Sequence, residues 1–138
     1  MRALVDQGAH VAFGDVLRDE GEALAAELDN AYFFPLDLTD PHSITQFVEQ
    51  SAAKLGGIDG LVNNAAITHS GGKHADELTP ETWDAVMNVN VRGAWLASGA
   101  CLPHLKASGR GAIVNIASDT AVGHAQTPRL RREQGRRV

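Results

Sequence analysis

Apolar residues along the chain follow two patterns in alternation, short continuous runs and longer runs at helical spacing. The continuous runs predict buried strands at residues 9–14, 31–36, 59–63 and 112–116. The spaced runs predict helices over residues 18–28, 41–55 and 80–105. Because strands and helices alternate over short connections, we expect an α/β fold with a parallel sheet and helices on both faces.

Helix boundaries are marked by capping residues, prolines and glycines. Asp40-Pro41 predicts a helix start with Asp40 as the capping residue and the proline at the first helical position, and Thr79-Pro80 predicts the start of another helix. Gly8 and Gly56 are placed to end helices, because glycine readily adopts the left-handed conformation that follows a last turn. In such a fold, ligands bind beyond the carboxyl ends of the strands, so the residues after each strand are the candidates for function.

Acidic residues follow the first two predicted strands. Asp15 could accept hydrogen bonds from the ribose hydroxyls of a dinucleotide and would repel a 2′-phosphate, which favours NAD over NADP. The alternative for Asp15 is a loop residue or the N-cap of the next helix. Asp37 and Leu38 could reach an adenine ring, and the alternative for them is a turn before Asp40-Pro41.

Amides and a hydroxyl accompany the later strands. Asn63-Asn64-Ala65-Ala66 closes a buried strand, where small residues allow a flat ligand to approach; a simple turn is the alternative. Asn90 falls on the apolar face of a helix, where it needs a partner; a tie to neighbouring backbone is the alternative. Ser118 follows the last strand and could bind a substrate oxygen, although a serine there is also a common turn residue.

Composition indicates the type of core and the cellular location that we expect. The 43% apolar and 5% aromatic content indicates an aliphatic core, which suits strands buried on both faces. The single cysteine, Cys101, excludes an internal disulfide. No apolar stretch approaches the roughly 20 residues of a membrane span, and no secretory segment opens the chain, so we expect a cytoplasmic protein with no membrane partner. The six histidines show no metal-ligand spacing, and we predict no metal.

Taken in order, these segments resemble the short-chain dehydrogenase/reductase family. The resemblance rests on an acid after one strand, Asp37-Leu38 after the next, then Asn63-Asn64-Ala65-Ala66, residues 88–93 (Asn-Val-Asn-Val-Arg-Gly) and residues 111–118 (Gly-Ala-Ile-Val-Asn-Ile-Ala-Ser). It implies a Rossmann-type doubly wound parallel sheet and an NAD-dependent oxidoreductase, with NADP less favoured, that interconverts a secondary alcohol and a ketone. It further implies site residues: Asn90 and Ser118 as catalytic, and Asp15, Asp37, Leu38, Asn64, Ala65 and Ala66 as cofactor-binding.

The sequence departs from the family at both ends. No glycine-rich phosphate turn stands upstream of Asp15, so we expect the first strand and its turn to be missing, together with the last strands. Where the family has a tyrosine and, four residues later, a lysine, this chain has Arg131 and Gly135, and its one tyrosine is Tyr32. We therefore expect an inactive fragment truncated at both ends, with a partial NAD(P)-binding domain over residues 1–121.

The end of the chain differs from the rest in charge. The formal charge is −9 over residues 1–128 and +4 over residues 129–138. We expect residues 122–138 to be a non-family tail, disordered or produced by a frameshift, and rank a nucleic-acid-binding arm below that.

The parent protein is expected to form homo-oligomers through helix 80–105. A non-catalytic nucleotide-binding or dimerising pseudoenzyme is the alternative function, and a sugar-nucleotide epimerase ranks lower.

Overall fold

The computed structural model describes residues 1–68 and 75–118. The strands are β1 (Val11–Asp15), β2 (Ala31–Pro35), β3 (Gly60–Asn63) and β4 (Ala112–Asn115). The helices are α1 (Arg2–Val5), α2 (Arg18–Ala26), α3 (Pro41–Leu55), α4 (Pro80–Met87) and α5 (Ala94–Ser108). A short 3₁₀ turn (Ala75–Glu77) precedes α4, and a π-helical turn (Asn88–Gly93) joins α4 to α5.

The strands form two parallel pairs. β1 pairs with β2 from Val11 opposite Ala31 to Asp15 opposite Pro35, and β3 pairs with β4 from Gly60 opposite Ala112 onward. Within residues 1–68 and 75–118 the two pairs are separate sheets, because β1 and β3 are not hydrogen-bonded to each other. The expected α/β fold with parallel strands and an incomplete doubly wound sheet is confirmed.

Helices cover the first pair on both faces. α2 packs against β2 so closely that Gly21 lies against the ring of Phe33, which also contacts Phe13 at 5.5 Å between ring centroids. On the other face, Phe47 of α3 lies against Gly14 of β1. Neighbouring residues of β1 thus point to opposite helical layers, as the two-residue period of a strand requires.

The buried core lies where α3 packs against α5. Val48 of α3 and Cys101 and Leu105 of α5 are buried there together with Ile58, which precedes β3. Burial raises the pKa of the Cys101 thiol, because the apolar surroundings disfavour the thiolate. Since α3 also contacts β1 and β2 while α5 contacts β3, these two helices hold the two strand pairs in one body.

The helix ends agree with the sequence prediction. The Asp40 side chain accepts a hydrogen bond from the His42 amide at 2.9 Å, and the Thr79 side chain accepts one from Thr82. Gly8 and Gly56 have φ angles of 84° and 77°, in the left-handed region that favours glycine. Each cap therefore satisfies backbone groups that a helix end leaves without partners.

Several predicted element bounds differ from the structure by one or two residues, and two differences affect the candidate site. Asp15 is the last residue of β1 rather than the residue after it, because the Leu36 amide donates to the Asp15 carbonyl at 3.1 Å and extends the pairing. The predicted continuous helix over residues 80–105 instead contains the π-helical turn and continues to Ser108. The predicted tail, residues 122–138, lies outside the described residues.

Candidate nucleotide-binding edge

The carboxyl ends of the four described strands lie near the π-helical turn. Two of the strands are followed by loops that contact this turn directly, and the other two strands are paired with these. Asn90 of this turn contacts Ile67, which follows β3, and Gly93 contacts Leu38, which follows β2. β1 ends beside β2, and β4 ends beside β3, because both pairs are parallel. The residues predicted from the sequence to bind a ligand therefore share one edge of the molecule.

Asp15 lies at this edge as an exposed carboxylate. One of its oxygens accepts a hydrogen bond from the Leu17 amide at 3.0 Å, which fixes the side chain at the start of the connection to α2. The N-cap of α2 is Leu17, so Asp15 is not the cap that the alternative interpretation allowed. The exposed carboxylate is positioned next to the loop that follows β2, since Asp15 and Pro35 are paired.

The loop after β2 is held in shape by Asp37. Its Oδ1 atom accepts hydrogen bonds from the Thr39 amide at 2.8 Å and the Thr39 hydroxyl at 2.7 Å. These bonds, the hydroxyl first, hold the pKa of the Asp37 carboxyl below its ordinary value. The Asp37 amide donates to the Ser43 hydroxyl at 2.9 Å. Asp37 thus forms the turn that its alternative interpretation expected, and Leu38 lies at the centre of that turn.

Asn90 ties the loop after β3 to the π-helical turn. Its Oδ1 atom accepts from the Ile67 amide at 2.8 Å, and its Nδ2 atom donates to the Ile67 carbonyl at 2.9 Å. Both Asn90 and Ile67 are partly buried. This is the backbone tie that the sequence left as an alternative, and it sets the path of the exposed residues before Ile67, which are Asn64, Ala65 and Ala66.

A network missed by the sequence analysis joins β3, β4 and α5. The Nδ2 atom of Asn63 donates to Asn115 Oδ1 at 2.8 Å and to the Ser98 hydroxyl at 3.1 Å. Asn63 and Asn115 are direct partners in the strand pairing. The Ile116 amide donates to the Asn63 carbonyl at 2.9 Å, so the backbone leading to exposed Ser118 runs beside the loop after β3. The signal in the sequence was that β3 and β4 each end in an asparagine, which parallel pairing could bring side by side.

Further features of the described residues limit the kinds of site. Across residues 1–68 and 75–118, no group of three or more histidine, cysteine and acidic side chains could hold a metal ion. In the same part of the chain, no helix is long and apolar enough to cross a membrane. Acids and amides gathered at the carboxyl edge of the parallel strands lie where open α/β folds bind their ligands.

Comparison with known proteins identifies the family. The sequence matches the short chain dehydrogenase family over residues 1–128. It is 42% identical over 119 residues to a 3-alpha-(or 20-beta)-hydroxysteroid dehydrogenase of Mycobacterium tuberculosis, covering 86% of this chain and 45% of that protein. It is also 42% identical over 118 residues to an inactive 2-(S)-hydroxypropyl-CoM dehydrogenase 2 of Xanthobacter autotrophicus, covering 85% of this chain and 50% of that protein.

A solved structure gives the same result. The crystal structure of 3-ketoacyl-(acyl-carrier-protein) reductase from Brucella melitensis, complexed with NADH, superposes with a TM-score of 0.82 at 34% sequence identity. The match covers 88% of this chain and 52% of that one. The chain belongs to the short-chain dehydrogenase/reductase family, and it spans about half the length of the relatives that it matches.

Proposed function

We propose that this chain carries part of the cofactor site of an NAD-dependent short-chain dehydrogenase/reductase that interconverts a secondary alcohol and a ketone. The observation that carries the proposal is that one π-helical turn brings together the loops after β2 and β3, beside the acid that ends β1. Relatives that are dehydrogenases and a structural neighbour complexed with NADH support the same activity. We also infer a cytoplasmic location, and no nucleic-acid partner.

The side chains at this edge fit the adenosine end of the cofactor. The exposed Asp15 carboxylate offers an acceptor to ribose hydroxyls, and its charge disfavours a 2′-phosphate. Asp37 and Leu38 present a rigid turn to the adenine ring. No glycine-rich turn precedes Asp15 in this sequence, so we assign no residue to the diphosphate.

We assign the other site residues to the nicotinamide end of the cofactor: Asn64, Ala65, Ala66, Asn90 and Ser118. When bound, the nicotinamide ring exchanges a hydride with the substrate carbon. Both polar atoms of the Asn90 side chain are bonded to Ile67, so its side chain acts by fixing the loop that carries Asn64, Ala65 and Ala66. We assign to Ser118 the hydrogen bond to the substrate oxygen.

Proton transfer is the step that this sequence does not support. Its one tyrosine, Tyr32, is the second residue of β2, about 10 Å from the carboxyl end of that strand at roughly 3.3 Å per residue. The Lys54 ammonium, in the last turn of α3, lies 4.4 Å from the centre of its ring. We therefore expect the 138-residue chain to bind nucleotide without turning over an alcohol.

Titration of the chain with ADP-ribose, followed by calorimetry, tests the proposal. Replacing Asp15 with Asn removes the charge but keeps the size, and we expect binding to weaken about tenfold or more, since hydrogen bonds to charged groups contribute roughly 1.5–3 kcal/mol. Asp19→Asn is the matched control, because Asp19 is an exposed acid in the first turn of α2. Equal affinity for the wild-type chain and Asp15→Asn would reject the assignment.

Exposed apolar side chains on α4, the π-helical turn and α5 favour a second function, self-association. Trp83 is 62% exposed and Trp95 is 70% exposed, and Val91 and Leu102 are also exposed. Indole rings left in water lose the favourable burial that a second copy would provide. We infer that the parent protein dimerises through this part of the chain. Trp95→Lys should shift the chain to monomer in sedimentation equilibrium, and an unchanged mass would count against the inference.

A further inference from the structure

Gly93 ends the π-helical turn in an ordinary helical conformation. Its φ is −60° and its ψ is −48°, values that any residue adopts. Glycine inside a helix lowers helix stability relative to alanine, and the conformation gives no compensating reason for it. The reason must therefore be space rather than backbone geometry.

The space around Gly93 is filled by the loop after β2. A Cβ atom added at Gly93 would lie 2.8 Å from Leu38 Cβ and 3.0 Å from the Leu38 carbonyl oxygen. Neither neighbour is the mobile end of a long side chain, so the loop itself would have to shift. The Arg92 guanidinium also donates a long hydrogen bond of 3.5 Å to the Thr39 carbonyl, at the same contact.

The loop cannot easily shift, because it is fixed on its other side. Asp37 holds Thr39 through two hydrogen bonds, and the Asp37 amide is bonded to Ser43 of α3. Asp40 caps α3 directly afterwards. A residue larger than glycine at position 93 would thus push Leu38 away from the π-helical turn while both ends of the loop stay anchored.

We propose that Gly93 is a positioning residue for the adenine end of the nucleotide site: its lack of a side chain seats the Asp37–Asp40 loop on the π-helical turn. The proposal rests on the proposed nucleotide-binding function. Asn90, three residues earlier in the same turn, holds the loop after β3. The single turn Asn88–Gly93 therefore sets the spacing between the two loops that would receive the two ends of the cofactor.

The test compares Gly93→Ala with Gly99→Ala in the full 138-residue chain. Gly99 lies in the same helix, and a Cβ atom there would meet nothing within 4 Å. We expect Gly93→Ala to bind 5′-AMP about tenfold more weakly than wild type, and Gly99→Ala to bind it equally well. Equal binding of 5′-AMP by Gly93→Ala and wild type would overturn the proposal.

Amide hydrogen exchange separates positioning from general loss of structure. In Gly93→Ala, the Thr39 amide should exchange faster while the Ile67 amide, held by Asn90, keeps its wild-type rate. Faster exchange at both amides, or at neither, contradicts the proposal. If the wild-type chain binds no 5′-AMP, the proposed function fails, and this exchange pattern alone decides whether Gly93 positions the loop.

If Gly93→Ala does not fold in the wild-type chain, the same substitution is made in a Leu38→Gly variant. Leu38→Gly removes the Cβ atom that the new methyl group would meet at 2.8 Å. Gly93→Ala should then lower the melting temperature much less than it does beside Leu38, because the two changes are coupled through this contact. An equal loss of folding in both backgrounds, measured by circular dichroism, would show that the contact is not the cause.

Discussion

Removing the Asn90 side chain should loosen the loop after β3 and measurably destabilise the chain. Asn90→Ala deletes two hydrogen bonds to Ile67, of 2.8 and 2.9 Å. At about 1 kcal/mol for each bond, the expected loss of unfolding free energy is about 2 kcal/mol. Both residues are partly rather than fully buried, so water can reach the abandoned Ile67 groups and keeps the loss near that figure.

Urea denaturation followed by circular dichroism measures this loss. With a slope of about 1–3 kcal/mol per molar urea for a small protein, the midpoint should fall by about 1 M. Asn88→Ala is the matched control, because Asn88 is an exposed asparagine in the same turn, and we expect it to change stability by less than about 0.5 kcal/mol. Equal midpoints for Asn90→Ala and Asn88→Ala would refute the reasoning.

Three further predictions concern other parts of the chain. Gly21→Ala should destabilise it by about 1–3 kcal/mol in the same assay, because the new methyl group meets the Phe33 ring, whereas Gly99→Ala should not; equal effects would contradict the packing of α2. The Cys101 thiol should react with a disulfide reagent only slowly until denaturant is added, since it is buried with a raised pKa, and fast labelling of the native chain would contradict the core. The coding DNA of residues 122–138, translated in another frame, should encode a tyrosine followed four residues later by a lysine; their absence from every frame would make the tail native.

The fold was largely predictable from the sequence, because its signals are local. Strand runs such as residues 112–116 and caps such as Asp40 depend on neighbouring residues, and the structure confirms them to within one or two positions. The error at Asp15 arose from pairing with β2, where the Leu36 amide extends the ladder by one residue. Such a bond depends on a partner strand and leaves no local pattern.

The sequence pointed to candidate residues for a site, but it did not show how they are connected. The sequence pointed to Asn90 because a helical amide on an apolar face needs partners, and the structure supplies them at Ile67. The π-helical turn was missed, since Met87, Val91 and Ala94 follow one another at a spacing that also suits an ordinary helix. No separate reason for Gly93 was visible in the sequence, because its contact partner Leu38 is 55 positions away in the sequence and adjacent only in the fold.

The most direct test of the nucleotide-site assignment is the ratio of the dissociation constants of NADH and NADPH for this chain, measured by fluorescence titration. The exposed Asp15 carboxylate at the end of β1 should repel a 2′-phosphate, so we predict that NADH binds at least about tenfold more tightly than NADPH. Asp15→Asn should reduce that preference, whereas Asp19→Asn should leave it unchanged. Binding of NADPH as tight as that of NADH, or tighter, would contradict the assignment.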